Sequence, residues 1–164
     1  MSQKGMTPRE AASALIAAMP VGVSPSQLGE YGIEGTPELA YALTREVLSL
    51  NLFWISAAID AHIPQKYRAA VSELVLDAVR TGWGTIYPAG PAAWEVFLAD
   101  WRQRTARYQR LVDEGMNALA VAAEVESWLE DEKVVCEEDR RNVLTVLIDF
   151  MPVETYGQTL EDVG

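Results

Sequence analysis

The chain has 164 residues, 49% of them apolar and 23% charged, with one cysteine (Cys136) and one histidine (His62). That length is enough to close a core without staples, and the single Cys and His exclude an intrachain disulfide and a zinc site of the multi-Cys or multi-His kind. The net charge of −11 is lodged at one end: residues 1–111 carry ten acids against ten bases, whereas 112–164 carry fourteen acids against three bases. Such a surplus repels a phosphate backbone, so no nucleic-acid partner is expected, and a cationic protein is the partner suited to the acidic C-terminal third.

Helix-start signals recur along the chain. Thr7-Pro8, Ser24-Pro25 and Thr36-Pro37 each place a capping hydroxyl ahead of a proline suited to the first helical position, and Glu10 and Gln27 complete capping boxes. Lys4 and Arg9 before an alanine-rich stretch resemble an export signal, but the cap and Glu10 make 7–19 an amphipathic helix, and a cytoplasmic protein is expected. A short second helix ends near Gly32. A long third helix over 37–62 is apolar on nearly every side between Val47 and Ile59, which predicts a helix enclosed by others. Its 13-residue apolar run is too short for a membrane span of about 20 residues, so no membrane association is expected. Asn51 inside that run needs hydrogen-bond partners, as a device fixing helix register or as a ligand contact; register is the preferred role.

Pro64 separates a fourth helix, 64–81. Residues 82–91 (GWGTIYPAGP) cannot continue it and form a loop carrying Trp83, Ile86 and Tyr87; Trp83 between its glycines is either a binding contact or a staple holding the loop over the core, the staple being preferred. A fifth helix, 92–114, puts Trp94, Phe97, Leu98, Trp101, Thr105, Tyr108 and Val112 in one stripe and Arg102, Arg104, Arg107 and Arg110 across the other half. The stripe reads as core rather than a stacking site. The arginines read as a solvated face with Asp100–Arg104 and Arg110–Glu114 pairs, or as a surface that meets the acidic stretch 124–139 of the same or a second chain; Arg104 and Arg107 are the electrostatic contact candidates. Further helices follow at 116–130 and 137–151, and the polar tail 153–164, like residues 1–6, is expected to fray. The whole is an all-α single domain of about five longer and one or two shorter helices, in mixed or orthogonal packing around 37–62.

Chemistry-bearing motifs are sparse. No glycine precedes a lysine, which excludes a P-loop, and there is no Gly-x-Ser-x-Gly. Glu73 and Asp77 have the spacing to share a magnesium ion but lie opposite the apolar face beside Arg80, as a solvated ion-pair face does. No metal and no cofactor is expected. His62 lacks an orienting carboxylate on its own helix face, so its catalytic use is a weak reading. The leading expectation is an acidic, self-associating (dimeric) protein-interaction module that uses the aromatic loop, with Trp83 and Tyr87 as contacts, or an apolar helical face. The alternative is a small-molecule-binding protein or enzyme with an interhelical pocket near His62, Tyr67 and Trp83.

Overall fold

The computed structural model describes residues 6–161 and is all-α: α1 (Pro8–Ala18), α2 (Pro25–Glu30), α3 (Pro37–His62), α4 (Gln65–Thr81), α5 (Trp94–Asp113), α6 (Ala118–Asp131), a 3₁₀ turn Glu137–Asp139, α7 (Arg140–Asp149) and α8 (Val153–Glu161). No strand occurs among the described residues, only an isolated bridge between Trp83 and Tyr87. The capping boxes form as the sequence implies: Thr7 Oγ1 accepts from the Glu10 amide while Glu10 accepts from the Thr7 amide, and Ser24 and Gln27 repeat the exchange.

α3 is the axle, and its all-round apolarity follows from two cores on opposite sides. On one side Ala40, Leu43, Val47, Leu50 and Phe53 pack with Tyr108 of α5 and with α6 and α7. On the other, Leu48, Leu52, Ile55 and Ile59 pack with α1, α4, the aromatic start of α5 and α8. By length and composition α3 is apolar enough to cross a membrane, yet 67% of its most apolar window is buried inside this fold. A helix surrounded by protein has no need of a polar face, and burial accounts for this composition.

The tail differs from expectation. Residues 153–161 form α8, which lies against α3 and α1 and buries Tyr156 and Leu160 completely or nearly so. Val153, Tyr156 and Leu160 recur at helical spacing, and the apolar area they remove from water outweighs the polarity of the remainder. Residues 1–5 and 162–164, also expected to fray, lie outside the described residues.

Asn51 carries the join. Its Nδ2 donates to the carbonyls of Val47 and Phe150, both at 2.7 Å, and its Oδ1 accepts from the Tyr156 hydroxyl at 2.6 Å. One amide therefore ties α3 to the end of α7 and to α8, which is the register role rather than a ligand contact. Near the N-terminus, Thr44 Oγ1 both accepts from the Val23 amide and donates to its carbonyl. Gly22, at φ +144°, makes room for this: a Cβ there would sit 2.6 Å from Thr44 Cγ2.

Candidate functional site

A concavity lies between the first turns of α3 and α5, closed at one end by the loop that joins α4 to α5. Glu38, Tyr41 and Arg45 recur at i, i+3 and i+7 along α3 and therefore share a face; Val96, Phe97 and Asp100 answer them from α5, and Pro91 and Ala92 come from the loop. The groove encloses about 620 Å³. Phe97 is buried in its floor, while Val96 stands 62% exposed at its edge.

The walls are pinned by local chemistry. Trp83 Nε1 donates to the Ala92 carbonyl at 2.8 Å, and its ring packs on Phe97 (4.8 Å between centroids) and edge-on against Trp94 (5.4 Å). The Gly82 carbonyl accepts the amides of Thr85, Ile86 and Tyr87, winding the loop into a tight turn. Arg45 Nη1 donates to the Ala89 carbonyl at 2.7 Å. Gly90, at φ +88°, lets the backbone pass the Tyr41 ring, where a Cβ would come within 3.0 Å.

A buried polar cluster lies behind the groove. Arg104 Nη1 meets Glu46 Oε1 at 2.6 Å and its Nε meets Asp100 Oδ2 at 2.8 Å, so Arg104 links a groove residue to a carboxylate inside the fold. Burial pushes the Glu46 carboxyl up to about 7, with Arg104 opposing the rise and Asp100 adding to it. Beside it the Ser49 and Tyr108 hydroxyls are 2.9 Å apart, and Trp101 Nε1 donates to the Ser49 carbonyl at 3.1 Å. Burial raises the Tyr108 phenol as well, so it stays a neutral hydrogen-bonding group.

The sequence-derived candidates disperse. Trp83, half-buried, is hydrogen-bonded to the Ala92 carbonyl and packed on α5, Tyr87 is buried at 2% exposure, and Ile86, 58% exposed, is the large apolar residue that the loop shows outward. His62 is exposed at the C-terminal end of α3, next to Gly157 of α8, and Tyr67 is exposed in the first turn of α4. Trp83 follows the opposite end of α4, about 20 Å of helix away, so His62, Tyr67 and Trp83 share no pocket.

Arg104 is not on a solvated face: its side chain is 12% exposed and is claimed by Glu46 of α3, although its pair with Asp100 is present. Arg107 does meet the acidic region, but through a ring, its guanidinium lying 3.6 Å over Trp128 of α6. The carboxylates there have their own cation, since Arg140 binds Glu130 at 2.7 Å. No Arg110–Glu114 pair occurs among the described residues; Asp113 accepts from Gln109 instead. Asp77 pairs with Arg80 as the wheel implies.

Glu46, Glu38, Tyr41, Arg45 and Val96 escaped the sequence reading. The first flanks an apolar run and looks like a helix-surface acid; the others are ordinary surface residues until α5 is laid beside them. A second groove of about 490 Å³ lies at the α7–α8 turn, lined by Leu119, Met151, Pro152 and Val153 among others. Compared with protein-family models, curated proteins and solved structures, the chain matches none.

Proposed function

We propose that this chain is a protein-interaction module and that the α3/α5 groove is its contact surface. The observation that carries the reading is Val96: a branched apolar residue standing 62% exposed at the edge of an open groove whose walls are pinned by hydrogen bonds and whose floor is Phe97. An open concavity with an apolar floor and edge offers area that loses water on binding, and pinned walls lower the ordering cost of association. The reading keeps the expected class of function and, of the two surfaces expected for it, the aromatic loop or a helical face, takes the helical one.

Selection of random peptides on the folded protein tests it. Selected peptides are expected to compete with one another and to lose about tenfold or more in affinity to Val96→Glu, which puts a charge where an apolar anchor would sit. Peptides indifferent to Val96→Glu would contradict the assignment. Sedimentation of the same variant covers self-association: a concentration-dependent mass abolished by Val96→Glu would make the partner a second copy. A second reading draws on volume alone, because about 620 Å³ falls within the range of small-molecule cavities. Saturable quenching of tryptophan fluorescence by a small compound, with no peptide selected, would favour it.

A further inference from the structure

The hydrogen-bonding capacity left open in the groove is unequal in kind, and this restricts what fits there. Glu38 has no hydrogen bond or ion pair among the described residues and is exposed at the rim. Asp100, also exposed and lining the groove, commits Oδ2 to Arg104, while its Oδ1 has no hydrogen bond among the described residues. The cations nearby are engaged: Arg45 on the Ala89 carbonyl, Arg104 between Glu46 and Asp100. The lining holds the carboxylates Glu38 and Asp100 against the guanidinium of Arg45; Arg104 behind it is shared by Asp100 and Glu46, which leaves Glu38 as the lining carboxylate without a partner among the described residues. Carboxylates only accept hydrogen bonds, so an occupant that satisfies them must bring N–H donors and positive charge. The Tyr41 ring lines the same space, and aromatic rings attract cations.

Resting on the groove reading above, we infer that the docking segment is a basic amphipathic peptide. It sets an apolar side chain over Val96 and Phe97 and a lysine or arginine between Glu38 and Asp100. The acidic surplus lies in residues 112–164, outside the groove, so it attracts a basic segment to the molecule without selecting the groove; that choice rests on Glu38 and Asp100.

A matched set of synthetic peptides, sharing one leucine pattern and carrying lysine, glutamine or glutamate at the polar positions, tests this by titration against the labelled full chain. Affinity is expected to fall in the order lysine, glutamine, glutamate, with Glu38→Lys weakening the lysine peptide about tenfold and improving the glutamate peptide. Glu137→Lys, a reversal of equal size in the acidic segment remote in sequence from the groove, is the control and is expected to change affinity less than twofold at moderate salt. Equal affinity for all peptides would overturn the cationic occupant while leaving the groove assignment standing. Equal losses from Glu38→Lys and Glu137→Lys would overturn it too, reducing the effect to net charge. Binding of none would overturn it together with the groove reading.

Discussion

Arg104→Ala is expected to cost about 1–2 kcal/mol of stability at pH 5.5, the loss of ordinary hydrogen bonds, and about 1.4 kcal/mol more at pH 8. The reason is the state of Glu46. Burial holds its carboxyl at about 7, against 4.5 for an unperturbed glutamate, so the folded chain binds a proton that the unfolded chain releases anywhere between those values. Stability contributed by this group therefore falls as pH rises from about 4.5 to about 7, by up to about 3 kcal/mol in full, opposite to the usual behaviour of a salt-bridged carboxylate.

Above that window Glu46 is ionised inside the protein and depends on Arg104; below it the neutral acid does not. Glu46→Gln should flatten this part of the profile. A residual slope of the same sign is expected from Glu126, whose carboxyl is raised by burial and by the adjacent Glu130. Urea unfolding of the wild type and both variants at the two pH values is the measurement, and an Arg104→Ala loss that does not change with pH would contradict the assignment.

Asn51→Leu is the second large effect. Leucine matches the volume but strands the Tyr156 hydroxyl and the Phe150 carbonyl, both of which Asn51 satisfies. At about 1–3 kcal/mol for each buried group left unpaired, a total of about 3–4 kcal/mol is expected. The loss should be local before it is global, because the severed bonds join α8 and the end of α7 to α3. Hydrogen exchange within 153–161 should accelerate more than in α3. Adding Tyr156→Phe removes the stranded hydroxyl, so the double variant should recover about 1–2 kcal/mol relative to the sum of the single changes. Strict additivity would mean that the three groups do not act as one unit.

These two sites mark the boundary of what the chain's sequence discloses. Caps such as Thr7-Pro8-Arg9-Glu10 are local devices, complete within four residues, and they form as written. The enclosed character of 37–62 was legible because hydrophobicity in every direction around a helix requires neighbours in every direction. Asn51 was legible as a polar group in need of partners, but not the identity of those partners, because Tyr156 lies 105 residues away. α8 was hidden by composition: three apolar positions among acids look like a solvated tail unless a receiving surface is known to exist.

The arginines of α5 make the same point about the site. On a helical wheel Arg104 and Arg107 are equivalent outward charges, yet one is drawn inward by Glu46 and the other lies across Trp128. The difference comes from what α3 and α6 place opposite them. The groove itself has no sequence signature, since its α3 residues lie more than fifty positions from those of α5 and most are unremarkable surface types until the two helices meet. Trp83 drew attention through its glycine neighbours, and the Nε1 bond to the Ala92 carbonyl is the contact that the staple reading called for.

The most direct measurement is amide and side-chain chemical-shift mapping of the chain with the lysine–leucine peptide. The account predicts that perturbations concentrate at residues 38–45 and 91–100, with the Val96 methyls and the Tyr41 ring shifting most, and that α6 and the exposed end near His62 and Tyr67 stay still. Perturbations centred on the acidic stretch 124–139, with the groove unchanged, would contradict it.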